Sequence, residues 1–159
     1  MNAGRLSLLL GAVSAALIAG ALWFQYVLHI APCEMCHWQR WPHISAAVVG
    51  LGGGLMIASG SLSARWAPLV AGLTVLLIAT SGALAFYHAG VEWKLWAGPA
   101  ACTGERAVFT GLEGLNNEHV VRCDEAAWRL FGISLAGYNA IVSLIVAAWG
   151  AAQLARRKA

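Results

Sequence analysis

Four cysteines are the residues of this chain best equipped for chemistry. Cys33 and Cys36 stand in the string Pro32-Cys33-Glu34-Met35-Cys36, between two long apolar runs, and Cys102 and Cys123 follow in the second half. A Cys-x-x-Cys pair can close a tight, reactive disulfide or supply two metal ligands. Cys102 with Cys123 would by itself make an ordinary staple for an external loop. Four cysteines allow three pairings. Whether the two pairs act together depends on whether all four face one compartment, and that is decided by the elements that carry them.

Composition points to a membrane. The chain has 159 residues, 60% of them hydrophobic and only 11% charged, against roughly 25% charged in an average globular domain. Mean hydropathy is +0.69. The net charge of +3 comes without a basic patch interleaved with aromatics, which removes nucleic acid as a partner. Four apolar runs, at about 6–28, 44–62, 67–89 and 133–154, approach or exceed the roughly 20 residues needed to cross a bilayer. The first continues through Leu22, Trp23 and Phe24, past the roughly 7–15 apolar residues of a secretory signal, and reads as an uncleaved span. The expected fold is therefore an all-α, four-transmembrane-helix bundle forming a single domain. In the second span Gly50-Leu51-Gly52-Gly53-Gly54 would let a neighbouring helix approach closely.

Charge orients the bundle. Four spans place both termini and the short connection near Arg65 on one side, with Arg5, Arg65, Arg156, Arg157 and Lys158 and no acidic residue. The opposite side carries the loops at about 29–43 and 90–132, which hold all seven acidic residues. Basic residues crowded at span ends mark the cytoplasmic side. Both termini are expected in the cytoplasm, with both loops and all four cysteines outside, where disulfides persist. Trp23, Trp38, Trp41, Trp66, Trp93 and Trp96 fall near the span ends, as an interfacial belt would.

On that face Cys33–Cys36 is a local pair of the redox-active type. Two disulfides on one face can exchange through mixed disulfides and pass two electrons from the second loop to the first. With no haem or flavin motif in view, the natural acceptor is a lipid-soluble quinone. Arg40, four residues after Cys36, would share its face if the helix has already begun there; Pro42 leaves that open. Its guanidinium could stabilise reduced, anionic quinone, or it could be a snorkelling interfacial residue. The competing chemistry is a zinc site of four thiolates, with His37 or His43 as a substitute ligand. The wide Cys102/Cys123 spacing and the oxidising compartment weigh against it, and no metal is expected.

These residues resemble the DsbB family of membrane thiol oxidoreductases over essentially the full chain. The resemblance is carried by the four spans, Cys-x-x-Cys after span one, arginine seven residues after its first cysteine, and a long loop with two further cysteines. The strings Gly98-Pro99-Ala100-Ala101-Cys102-Thr103-Gly104 and Arg122-Cys123-Asp124-Glu125-Ala126-Ala127-Trp128-Arg129-Leu130-Phe131-Gly132 add to it. The resemblance implies a bacterial inner-membrane enzyme that reoxidises a DsbA-type, thioredoxin-fold partner in the periplasm. It implies that Cys102 receives the partner's thiol, that the released Cys123 attacks Cys33, and that Cys36 faces ubiquinone or menaquinone beside Arg40. It also places a histidine near the quinone, and His88 matches it. His29, His37 and His43 receive no role.

Two further readings stand beside this one: a quinol-driven reductase using the same motif in reverse, and a non-enzymatic membrane protein with stapled loops. Val108, Phe109, Leu112 and Leu115 could form a short interfacial helix around Asn116–His119. Asn139, polar within span four, is expected to hydrogen-bond a neighbouring helix.

Overall fold

The computed structural model describes residues 2–103 and 121–156. Four helices are long and apolar enough to cross a membrane. The first is α1 (Ala3–Tyr26). The second is α2 (Glu34–Ala47), carried by a π-turn over Val48–Gly52 into α3 (Gly53–Ala58). A 3₁₀ turn at Ala64–Trp66 leads into α4 (Ala67–Glu92). The short α5 (Ala100–Thr103) and the pair β1 (Arg129–Leu130) and β2 (Ile133–Ser134) precede α6 (Leu135–Ala155), the fourth. The fold is a four-helix membrane bundle. The expected surface helix around Val108–Leu115 and the polar Asn116–His119 lie outside the described residues.

Each span begins or ends on identifiable chemistry. Asn2 Oδ1 accepts from the Arg5 amide and Ser134 Oγ from the Gly137 amide, capping α1 and α6. α4 ends in a Schellman motif: the Leu95 amide reaches the Gly90 carbonyl and the Lys94 amide that of Val91. Lys94 occupies the left-handed position of that motif at φ 59°. β1 and β2 pair antiparallel across a two-residue turn, Phe131-Gly132, with both φ values positive, as the twist of a tight hairpin demands.

The second span begins earlier and ends sooner than the expected 44–62. Cys33 is its N-cap and the helix runs from Glu34 through Pro42 to Ala58. A proline inside a helix removes one backbone donor, and the turn around it is stitched to α4, where Ser81 Oγ donates to the Gln39 carbonyl at 2.8 Å. Gly60, at φ 78°, turns the chain back toward Trp66. The other spans match within a few residues, α1 starting and ending slightly earlier than 6–28 and α4 running on to Glu92.

The bundle is packed small side in. Leu69, Leu76 and Ile145 point outward, each at least 60% exposed, while Ala46, Ala71, Ala147 and Ser81 are buried with Leu6, Leu10 and Ile78. Such a distribution suits lipid outside and close helix approach within. The tightest approach joins α1 to the glycine run: a Cβ on Gly50 would lie 2.7 Å from the Ser7 carbonyl oxygen and 2.8 Å from the Gly11 Cα. Trp96 is more than an interfacial residue. Its ring covers Gly90 and stacks on Tyr87, and its Nε1 donates to the Tyr87 carbonyl.

Gly50→Ala should therefore destabilise the bundle by about 1–3 kcal/mol, the usual cost of overpacking. Gly52→Ala, whose added Cβ meets nothing within 4 Å, is the matched control. Thermal unfolding in detergent checks this, and equal losses in the two variants would contradict the packing.

Candidate active site

The site is built on the start of α2. Cys33 Sγ accepts from the Cys36 amide at 3.2 Å, so the first cysteine caps the helix that carries the second. The two sulfurs lie 2.7 Å apart as free thiols. Cys33 is buried and Cys36 half-buried. The contact with Cys36, together with burial, raises the Cys33 thiol far above its ordinary value.

Because α2 has already begun at Glu34, Cys36 and Arg40 stand one turn apart on it. Arg40 is anchored to α1, donating from Nη1 to Gln25 Oε1 at 2.5 Å and from Nη2 to the Ala21 carbonyl. Pro42 lies beyond both residues and disturbs neither.

The second pair is disulfide-bonded, Cys102 to Cys123, and lies in the same buried cluster as Cys33, Met35 and Val91. The Cys123 amide also donates to the Cys102 carbonyl at 2.9 Å. Cys102 is 5% exposed and Cys123 fully buried. In this pairing neither sulfur is a thiolate. Beside it, Asp124 accepts from Lys94 at 2.5 Å and from Arg122 at 2.8–3.0 Å. Those two cations hold its carboxyl down to about 2, so the ion pair persists down through the ordinary carboxylate range near 4. Further along, Trp128 packs edge-on against Phe24, Tyr138 OH donates to the Leu130 carbonyl, and Ser134 donates to Glu92. These contacts fasten the described end of the second loop to α1, α4 and α6.

His88, on α4, joins the two pairs. Its Nε2 lies 3.6 Å from Cys33 Sγ and 3.1 Å from the Cys123 carbonyl oxygen. Cys33, Cys36, Arg40 and His88 all line one cavity of about 280 Å³, whose apolar wall includes Leu17, Phe24 and Val142. An engineered cavity of about 150 Å³ holds benzene, so a substituted ring fits here, with thiols and a guanidinium at one end and hydrocarbon at the other.

A seam of buried polar side chains extends from His88 into the bundle. Gln39 Nε2 contacts His88 Nδ1 at 2.7 Å, and Asn139 Nδ2 donates to Gln39 Oε1 at 2.9 Å. Asn139 Oδ1 meets His43 Nε2 at 3.0 Å and accepts from Ser143 Oγ at 2.8 Å. His43 Nδ1 faces Ser14 Oγ at 3.3 Å. Asn139 thus bonds its neighbouring helix as expected. His43, denied any role from sequence, is buried in this seam and points away from the thiols, unable to ligate a metal with them. Gln39 was missed as well. The available signal was the pairing of Gln39 with His43 and of Asn139 with Ser143 at four-residue spacing within apolar surroundings, since intramembrane polar residues face the bundle interior. Glu92, expected only as a loop charge, is buried 3.8 Å from His88 Nε2.

All six residues singled out by sequence are thus at one end of the bundle, the four cysteines in one cluster and Arg40 and His88 beside the first pair. The sequence profile of the family "Disulfide bond formation protein DsbB" matches residues 4–153. Disulfide bond formation protein B of Burkholderia thailandensis is 30% identical over 162 aligned positions, covering 97% of this chain and 90% of the relative. The proteins of the same name from Acidovorax sp. and Dechloromonas aromatica are 26% and 27% identical, over 90% and 89% of this chain and 82% and 86% of their own length. No solved structure matches. With its four spanning helices and paired cysteines, this chain belongs to the DsbB family, multi-pass membrane thiol–disulfide oxidoreductases of disulfide bond formation.

Proposed function

We propose that the protein oxidises a DsbA-type, thioredoxin-fold partner in the periplasm and delivers the electrons to membrane quinone. The observation that carries this reading is the shared cavity: the Cys33–Cys36 pair and Arg40 open onto an apolar-walled space beside the second disulfide. Both termini face the cytoplasm of a bacterial inner membrane in this reading, following the crowding of basic residues at that end.

The chain's own residues divide the work. A partner thiolate attacks Cys102, forming a mixed disulfide and releasing Cys123 as a thiolate. Cys123 attacks Cys33, bonding to it while the Cys33–Cys36 bond breaks and Cys36 departs with the electron pair. The second partner thiol then resolves the mixed disulfide at Cys102, and Cys102 displaces Cys33 from Cys123. The Cys102–Cys123 bond is restored and Cys33 and Cys36 are left reduced, the arrangement described above. Arg40, fixed by Gln25 and Ala21, holds a positive charge one turn from Cys36. Ubiquinone or menaquinone, bound in the cavity, supplies a two-electron acceptor. A DsbA-type partner is itself a strong oxidant at about −120 mV, and about 30 mV of two-electron potential is worth about 1.4 kcal/mol. Only an acceptor well above that potential drives the cycle, which favours quinone over glutathione.

Two outcomes test the assignment. Cys36→Ser should abolish quinone reduction and leave capture of the reduced partner at Cys102 intact; normal quinone reduction by this variant would refute the order of the relay. The purified protein with added quinone should develop a thiolate–quinone charge-transfer absorption, lost in both Cys36→Ser and Arg40→Met. A band that survives Arg40→Met unchanged would remove Arg40 from the acceptor site.

A further inference from the structure

Both ring nitrogens of His88 face atoms whose roles are fixed by covalent chemistry. Gln39 contributes one amide atom that lies 3.1 Å from the Met35 carbonyl oxygen and 2.7 Å from His88 Nδ1. A backbone carbonyl only accepts, so that atom is the Gln39 nitrogen. The other amide atom, facing Asn139 Nδ2 at 2.9 Å, is the oxygen. Asn139 is oriented in turn, because only its amide nitrogen can donate to that oxygen. An amide nitrogen has no lone pair to offer, so His88 Nδ1 must accept and cannot carry a proton.

The opposite edge of the ring gives the same answer independently. His88 Nε2 lies 3.1 Å from the Cys123 carbonyl oxygen, which again only accepts. Nε2 therefore carries the proton. We infer that Gln39, braced by Asn139, is a positioning residue that locks His88 as the neutral Nε2–H tautomer, and that this N–H docks Cys123 beside Cys33 for transfer between the two pairs.

The chemistry of that step fits a donor. When the Cys123 thiolate attacks Cys33, a thiolate enters and the Cys36 thiolate leaves, so no proton is taken up or released at the reacting sulfurs. A base at His88 would have nothing to accept. An N–H aimed at the Cys123 carbonyl, with Cys33 Sγ 3.6 Å away, instead holds the attacking residue against its target. Orientation of this kind is a substantial source of rate.

This inference rests on the relay proposed above for its functional half, and its structural half can be read separately. The full-length protein with ¹⁵N-labelled histidine, in detergent micelles, should give a His88 ring with unprotonated Nδ1 and protonated Nε2 in long-range ¹H–¹⁵N correlations, assigned by loss of the signals in His88→Gln. A proton on Nδ1 in the wild-type protein would overturn the inference with no variant needed. Gln39→Glu offers an acceptor in place of the amide and should move the proton to Nδ1. It should slow transfer from Cys102/Cys123 to Cys33/Cys36 by about 10–100-fold, the usual range for residues that act through another side chain. Oxidation of the directly reduced first pair, measured in a background lacking Cys102 and Cys123, should fall by less than transfer between the pairs does; an equal loss in both steps would refute the docking role. Gln39→Glu with the tautomer unchanged, or with the tautomer switched and transfer undiminished, would refute the role. Failure of quinone to accept electrons would remove the relay and leave the tautomer measurement standing.

Discussion

Inside a membrane bundle a polar side chain has no water to turn to, so its partner must come from the protein. This constraint ties the four spans together. Ser14 from α1, Gln39 and His43 from α2, Ser81 and His88 from α4, and Asn139 and Ser143 from α6 form one connected seam. Among the described residues every buried side-chain nitrogen and oxygen has a partner. A satisfied network of this kind specifies orientation as well as adding stability, because each amide and ring can be read by its neighbours in only one way. The reactive end of the molecule is the outer terminus of that seam.

The small-residue packing makes such a seam reachable. With Gly11 against Gly50, α1 and the π-turn come close enough for short side chains to span between helices. Larger residues at these positions would separate the backbones and leave Ser14 and His43 without contact. Arg40 depends on the same closeness, since its guanidinium is held by a side chain and a carbonyl of α1. The geometry beside Cys36 is thus set partly by glycines about three to four turns further along the span.

Much of this was legible in the sequence where chemistry and spacing coincide. The cysteines, the arginine seven positions after Cys33 and the four apolar runs indicate both the fold and the reactive residues. The start of α2 was less legible, because His37-Trp38-Gln39-Arg40 dilutes the hydropathy and Pro42 suggests a boundary. Placing that start near His43 hid Gln39 and His43 from any test of helical periodicity, and with them the seam. Glu92 was obscured for a related reason: it closes α4 and turns inward to Ser134, whereas its sequence neighbourhood looks like the beginning of a loop. Composition alone permits three pairings of the four cysteines; the family resemblance implies Cys102 with Cys123, and the structure has that bond.

The depth of that disulfide has a consequence for specificity. Both sulfurs are almost fully withdrawn from solvent, and the residue after Cys123 is pinned by two cations. A small thiol in solution finds neither sulfur open to direct approach. In the relay proposed above, that burial would insulate the pair kinetically from small thiols and leave admission to a protein partner that displaces the covering contacts as it docks. Discrimination of this sort lies in access and leaves the potential of the disulfide free to be set for the flow of electrons alone.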